Sequence, residues 1–163
     1  MNEKILVVDD EGSIRDALSK VLQAEDYEVV TADNGQEAIE KIQSEKVDLL
    51  LLDLGLPVKD GWGIVIWLAE VNSPLPVIII TGRWNQRELA EKMGADALMD
   101  KPLDMPRLLQ TIRALTNEPM ERRARRAKER SSFRYVPCDH ELFLKSLQER
   151  YNAPFAFSGS KNH

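Results

Sequence analysis

The sequence alternates five times between a short apolar run and a segment whose apolar residues recur at helical spacing. The apolar runs cover residues 4–8, 28–31, 47–53, 76–81 and 97–99. Alternation of this kind predicts an α/β fold, with a doubly wound five-stranded parallel sheet and right-handed crossovers. The third run is apolar at nearly every position, as expected for a central strand that is buried on both faces.

Composition supports a globular fold and excludes several other classes of protein. Hydrophobic residues make up 43% and charged residues 30% of the 163 residues. These proportions exclude a chain that is disordered throughout. No apolar run approaches the roughly 20 residues of a transmembrane helix, and the first residues lack the pattern of a signal peptide. Because the one cysteine, Cys138, cannot form an internal disulfide, we expect a cytoplasmic protein.

Charge divides the chain into two parts near residue 118. Residues 1–118 carry a net charge of −10, whereas residues 119–163 carry a net charge of +5. The break falls in a turn-like stretch at residues 116–119. We therefore predict one domain over residues 1–118 and a basic C-terminal tail over residues 119–163.

The tail is predicted to be short and mostly helical or irregular. Residues 121–130 include six basic residues in a helical pattern with almost no apolar face, and Pro119 can begin this helix. A partly apolar strip with Phe133 and Tyr135 follows, and Asp139 can cap a second short helix. The favoured interpretation is a solvated tail whose aromatic residues dock on the domain or on a second copy. A partner-binding or dimerisation arm and a nucleic-acid-binding arm are alternatives.

Polar residues stand where four of the apolar runs end. In chain order they are Asp9, Asp10, Asp53, Thr81 and Lys101. Ligands of doubly wound sheets bind beyond the carboxyl ends of the strands, so these side chains are expected to gather at one edge. Three neighbouring carboxylates repel one another unless a cation lies among them, and oxygen ligands suit Mg²⁺. An aspartate beside Mg²⁺ can accept a phosphoryl group as an acyl phosphate.

The motifs around these residues resemble the receiver domain of two-component response regulators. The sequence reads Val-Val-Asp-Asp-Glu at 7–11, Asp-Leu-Gly-Leu-Pro-Val-Lys-Asp-Gly at 53–61, Ile-Ile-Thr-Gly at 79–82 and Lys-Pro at 101–102. The resemblance covers residues 3–116. It implies a flavodoxin-like sheet with strand order 2-1-3-4-5 and a cis peptide bond between Lys101 and Pro102.

The resemblance also implies a role for each site residue. Asp53 would accept the phosphoryl group, and Thr81 and Lys101 would hold the phosphoryl oxygens. Mg²⁺ would be bound by Asp9, Asp10, Asp53 and the Gly55 carbonyl. Asp9 would act through a bound water. The phosphoryl group would come from a histidine kinase or a phosphotransfer protein in a phosphorelay. The protein would not be an enzyme with a separate substrate, and it would signal through contacts with an unknown downstream protein or in a homodimer. Nucleic acid and membrane are not expected as partners.

Two departures from the family pattern bear on how such a protein would signal. Leu98 stands three positions before Lys101, where the family usually has an aromatic switch residue. The stretch between Thr81 and Lys101 is short, which predicts a trimmed fourth helix. Two other functions stay open: a transcriptional regulator that binds DNA through the basic tail, and a degenerate receiver that acts only as a scaffold.

Overall fold

A computed structural model describes residues 2–56, 58–83, 85–129 and 133–137 of the chain. The elements are β1 Lys4–Val8, α1 Gly12–Ala24, β2 Glu28–Ala32, α2 Gly35–Ser44, β3 Leu49–Asp53, α3 Val58–Glu70, β4 Val77–Thr81, α4 Arg87–Met93, β5 Ala97–Asp100, α5 Met105–Thr116, α6 Met120–Glu129 and β6 Arg134–Val136. Within these segments, no helix combines the length and the apolar character that crossing a membrane requires. The predicted second tail helix after Asp139 lies outside the described residues.

The strands form one parallel sheet with the order β2-β1-β3-β4-β5-β6. The predicted order of the first five strands is confirmed. A sixth strand extends the predicted five-stranded sheet and lies within the tail, which was predicted to be mostly helical or irregular. It pairs with β5, with Leu98 opposite Tyr135. Since β6 is only three residues long, the sequence pattern could not distinguish it from an irregular extended strip.

Apolar side chains fill a separate layer on each face of the sheet. Strands β3 and β4 are buried at every position, and alternate residues of β3 point to opposite faces. Leu50 and Leu52 contact the layer formed mainly with α2, α3 and α4, whereas Leu49 and Leu51 contact the layer formed with α1 and α5. The helices therefore cover both faces, and the carboxyl ends of the central strands are held in a fixed arrangement.

The residue pattern predicts a loop over residues 55–61, which contain Pro57, and a helix cap at Ser13. Two helix starts differ from this prediction, whereas the short fourth helix agrees with the prediction of a trimmed helix. Helix α3 begins at Val58, although the pattern predicted a loop as far as residue 61. Helix α1 begins at Gly12, so Ser13 lies inside it and does not cap it. The Ser13 hydroxyl instead donates to the Glu11 carboxylate at 3.0 Å. Helix α4 has seven residues and is capped at its C-terminus by Gly94, whose left-handed φ of 88° favours glycine.

Asn34 caps α2, and its replacement gives a direct test of local stability. Its side-chain oxygen accepts a hydrogen bond from the Glu37 amide at 2.9 Å, which satisfies a backbone donor that the helix itself cannot pair. We expect Asn34→Ala to lower the free energy of unfolding by about 1 kcal/mol, measured by urea denaturation at an unchanged m-value. Asn34→Ser should recover most of the loss. Equal stability of the alanine variant and the wild type would show that the cap contributes nothing.

Candidate functional site

The parallel sheet brings four of the predicted side chains to one edge. Asp53 and Thr81 are the last residues of β3 and β4, while Asp9 and Lys101 directly follow β1 and β5. Asp9, Asp53 and Thr81 are almost completely buried, and the Lys101 side chain is about one-third exposed. Burial of three polar side chains at the end of an apolar sheet is costly unless they have partners or a ligand. This edge is therefore a candidate binding or reaction site.

Asp53 has protein partners on both of its carboxylate oxygens. The Lys101 ammonium forms an ion pair with Oδ2, and the Gly55 amide donates a hydrogen bond to Oδ1 at 2.6 Å. A Cβ atom on residue 55 would lie 3.0 Å from Oδ1, so glycine permits the close approach of this backbone amide. These contacts fix the orientation of the carboxylate and compensate part of its charge.

Asp9 is a buried carboxyl group beside Asp53, and only one of its oxygens is satisfied. Oδ1 accepts a hydrogen bond from the Glu11 amide at 2.9 Å, whereas Oδ2 is buried and has no hydrogen-bond partner among the residues that the structure describes. Burial raises the pKa of Asp9 to about 7, and the neighbouring Asp53 carboxyl contributes to the rise. The Glu11 amide and the Lys101 ammonium act in the opposite direction. A cation next to Asp9 would therefore relieve both the repulsion and the unsatisfied oxygen.

Asp10 does not join this buried group, contrary to the predicted gathering of three carboxylates. It lies exposed at the surface, whereas Asp9 and Asp53 are almost completely buried. Within residues 2–56, 58–83, 85–129 and 133–137, no group of three acidic, histidine or cysteine side chains is arranged to hold a metal ion. Mg²⁺ commonly takes only one or two carboxylates together with waters and phosphate oxygens. The Asp9–Asp53 pair, with its unsatisfied Oδ2, fits an ion of that kind.

Thr81 and Lys101 are tied to each other through the backbone. The Lys101 amide donates to the Thr81 carbonyl at 2.8 Å, and the Thr81 hydroxyl accepts a hydrogen bond from the Arg83 amide at 3.0 Å. The Lys101–Pro102 peptide bond is cis, as the family resemblance implied. A hydroxyl group and an ammonium group therefore stand at the same edge of the sheet as Asp53, and the ammonium group contacts its carboxylate.

A second cationic side chain, which the sequence pattern does not reveal, lies at this edge. Arg15 of α1 donates a hydrogen bond from Nη1 to the backbone carbonyl of Asp9 at 2.6 Å. In the sequence, Arg15 is notable only because its helix begins shortly after the two aspartates. This position does not determine where the guanidinium group points. Arg15 adds positive charge beside the acidic pair and holds the end of β1 in place.

Fold and site together define a flavodoxin-like α/β domain with a buried aspartate at the end of its central strand. The family model described as the response regulator receiver domain matches residues 5–113, and the chain belongs to this family. Its members are signalling proteins rather than classical enzymes.

Curated relatives share the receiver region and are longer than this chain. The alkaline phosphatase synthesis transcriptional regulatory protein PhoP of Bacillus subtilis is 33% identical over 160 residues, which cover 95% of this chain and 65% of that protein. The transcriptional regulatory protein KdpE of Staphylococcus aureus is 36% identical over 117 residues, covering 71% of this chain and 50% of that protein. The chain thus spans between half and two thirds of the length of these relatives.

Solved structures of receiver domains match the same part of the chain. A CheY-like receiver domain protein from Methanospirillum hungatei has a TM-score of 0.68 and 30% identity, covering 75% of this chain and 98% of that one. The response regulator TrrA from Thermotoga maritima, in complex with Mg²⁺ and BeF, has a TM-score of 0.64 and 33% identity. That match covers 69% of this chain and 98% of TrrA.

Proposed function

We propose that this chain is a phosphorylation-activated response regulator that accepts a phosphoryl group on Asp53 in a two-component phosphorelay. One observation carries the proposal: Asp53 is buried at the end of the central strand, with Lys101 on one oxygen and the Gly55 amide on the other. A carboxylate held in this way has a fixed direction of attack, which is a large part of what phosphoryl transfer requires. The donor would be a phosphohistidine of a histidine kinase or of a phosphotransfer protein.

The proposed reaction forms an acyl phosphate on Asp53. A carboxylate oxygen of Asp53 attacks the phosphorus atom, the P–N bond of the phosphohistidine breaks, and its electron pair stays on the imidazole. Lys101 leaves its ion pair with the carboxylate and compensates the charge on the phosphoryl oxygens. The Thr81 hydroxyl donates a hydrogen bond to one of those oxygens, and the Gly55 amide keeps the carboxylate oriented. The protein then catalyses only its own phosphorylation and dephosphorylation.

Mg²⁺ is the proposed cofactor of this site. Asp9 and Asp53 would hold it from the buried side, and Asp10 and the Gly55 carbonyl would complete its surroundings from the surface side. The ion would neutralise the charge that develops on the phosphoryl oxygens. The unsatisfied Oδ2 of Asp9 supports this assignment, as does the complex of TrrA with Mg²⁺ and BeF.

The proposed output is a change in protein contacts, with residues 1–118 as the receiver and residues 119–163 as the tail. The two relatives are named transcriptional regulatory proteins, so DNA binding through the tail is the second candidate. Arg122, Arg125 and Lys128 are exposed on α6, whereas Arg123 and Arg126 form contacts within the protein. DNA binding predicts a duplex-DNA affinity that falls steeply with salt and is lost when the three exposed cations are neutralised.

The phosphoacceptor proposal is tested by intact-mass measurement after incubation with acetyl phosphate. The wild type with Mg²⁺ should gain one phosphoryl group, and it should gain far less in the presence of a chelator. Asp53→Asn should gain none, because the amide oxygen is too weak a nucleophile, whereas Asp48→Asn serves as a matched control away from the site.

Two results would contradict the proposal. Phosphorylation of Asp53→Asn at the wild-type level would place the acceptor elsewhere. The absence of any adduct on the wild type, at short times and with several small phosphodonors, would instead favour a receiver that acts only as a scaffold.

A further inference from the structure

The tail is held against the receiver by a buried arginine. The Arg126 side chain of α6 is only 11% exposed and forms ion pairs with Asp96 and Glu118. Asp96 directly precedes β5, and its Oδ2 also accepts a hydrogen bond from the Val77 amide at 2.7 Å. The prediction of a solvated charge run is therefore wrong for Arg126. Its ion pair with Asp96 holds α6 near the beginning of β5, and the strand that follows α6, β6, pairs with β5 from that point.

Strand β6 then covers the outer edge of β5 with backbone and aromatic contacts. The Arg134 amide donates to the Asp96 carbonyl at 3.0 Å, and Phe133 and Tyr135 pack against the core layer that includes Leu98. The guanidinium of Arg87 in α4 lies 4.9 Å from the centre of the Tyr135 ring, within cation–π distance. Phe133 and Tyr135 therefore dock on the domain, which agrees with the favoured interpretation of the sequence for these two residues.

One hydrogen bond connects this docked strand to the candidate phosphorylation site. The Tyr135 hydroxyl donates to Oδ2 of Asp100 at 2.7 Å. Asp100 precedes Lys101, whose side chain pairs with Asp53, and it lies opposite Thr81 in the parallel register. Any movement of Lys101 or Thr81 towards a phosphoryl group on Asp53 therefore acts on the residue that accepts the Tyr135 hydrogen bond.

Pairing of β6 with β5 also places an aromatic ring beside β5, which has no aromatic residue of its own. Leu98 takes the position at which the family pattern has an aromatic residue, and Tyr135 is directly opposite it on the neighbouring strand. Tyr135 is thus the aromatic side chain that contacts both the end of β5 and helix α4.

We propose that residues 133–137 are an intramolecular ligand of the β5 edge, released when Asp53 is phosphorylated. The proposal rests on the phosphoacceptor function of Asp53. In the unphosphorylated protein, Lys101 is paired with Asp53 and β6 is docked on β5. When Lys101 and Thr81 move to the phosphoryl oxygens, the neighbouring Asp100 shifts, and the hydrogen bond that it accepts from Tyr135 weakens. Phosphorylation therefore favours undocking of β6. Release exposes the unpaired backbone groups of residues 97–99, which an extended segment of a partner can pair with.

Coupling of this kind is reciprocal. If phosphoryl binding weakens docking of β6 by some factor, then docking of β6 weakens phosphoryl binding by the same factor, and a variant with looser docking binds the phosphoryl group more tightly. Tyr135→Phe removes only the hydroxyl that reaches Asp100, so it loosens β6 without changing any residue of the candidate site. Tyr27→Phe is the matched control, since this tyrosine is buried in the other core layer.

Hydrogen–deuterium exchange of the full chain measures docking directly. The probe is Mg²⁺ with beryllofluoride, compared with Mg²⁺ alone. We expect amides of residues 134–136 to exchange about fivefold faster or more when beryllofluoride is bound, while those of β1 and β3 stay protected. Tyr135→Phe should show faster exchange of the same amides without beryllofluoride.

Calorimetric titration with beryllofluoride in the presence of Mg²⁺ measures the reciprocal effect. Tyr135→Phe should bind the probe more tightly than the wild type, by at most the factor by which beryllofluoride accelerates exchange of β6. Tyr27→Phe should bind it like the wild type. Unchanged or slower exchange of β6 in protein that binds beryllofluoride would overturn the proposal, as would equal affinities of the wild type and Tyr135→Phe. If the wild type neither binds beryllofluoride nor takes up a phosphoryl group, the phosphoacceptor function fails instead.

Discussion

Replacing Asp9 with asparagine is expected to stabilise the metal-free protein near pH 8. Burial and the Asp53 carboxyl raise the pKa of Asp9 from 3.8 to about 7, so the folded protein binds a proton between these values that the unfolded chain releases. The free energy of unfolding therefore falls as the pH rises through this window and levels off above it. The asparagine side chain resembles the protonated carboxyl and has no such proton to lose.

The expected decrease in the free energy of unfolding between about pH 5 and about pH 8 is about 3 kcal/mol, since the window reaches about two pH units above pH 5 and each unit corresponds to about 1.4 kcal/mol. Urea denaturation in the presence of a chelator, at about pH 5 and about pH 8, should show a decrease for the wild type that Asp9→Asn largely lacks. Asp10→Asn is the matched control, because Asp10 is exposed and its replacement should leave the pH dependence unchanged. A variant that is no more stable than the wild type near pH 8 would show that the carboxylate pair is not strained there. Mg²⁺ should stabilise the wild type more than Asp9→Asn, since the ion would bind the ionised pair.

Replacing Lys101 with methionine is expected to slow phosphorylation by acetyl phosphate at least about 100-fold. Lys101 supplies the positive charge nearest to Asp53, and phosphoryl transfer depends on compensating the charge that develops on the equatorial oxygens. Methionine retains much of the apolar stem and removes only the charged group. The rate of phosphoryl incorporation, followed by intact mass at saturating phosphodonor, measures the effect.

Two further variants show whether the charge of Lys101 or its packing causes the loss. Lys101→Arg keeps the charge with a different shape and should recover part of the rate. Lys46→Met removes a side chain that is 80% exposed and lies before β3, at the opposite end of that strand from Asp53. It should phosphorylate like the wild type. A Lys101→Met variant that reacts at the wild-type rate would exclude Lys101 from the reaction.

Local patterns predicted the receiver fold and most of the candidate site. The alternation of apolar runs and helical spacing fixed five strands and their helices, because burial of one face imposes a period on each element. Asp53, Thr81 and Lys101 were found because each ends a strand or directly follows one, and parallel strands deliver their ends to the same edge. The failures were at boundaries, such as the start of α3 at Val58, where a loop motif with a proline and a glycine overlaps the first turn of a helix.

The sequence by itself determined the order of the elements and the residues at the strand ends, since both depend on neighbours close in the chain. Only the tertiary structure decided which charges are buried together. It placed Asp9 beside Asp53 and left Asp10 exposed. It also paired Arg126 with Asp96, and the two are too far apart in the chain for helix or strand periodicity to predict their contact. It also joined β6 to β5 and Tyr135 to Asp100. Such contacts form because an open sheet edge and a buried carboxylate each need a partner, and the sequence does not show which distant residue will supply it.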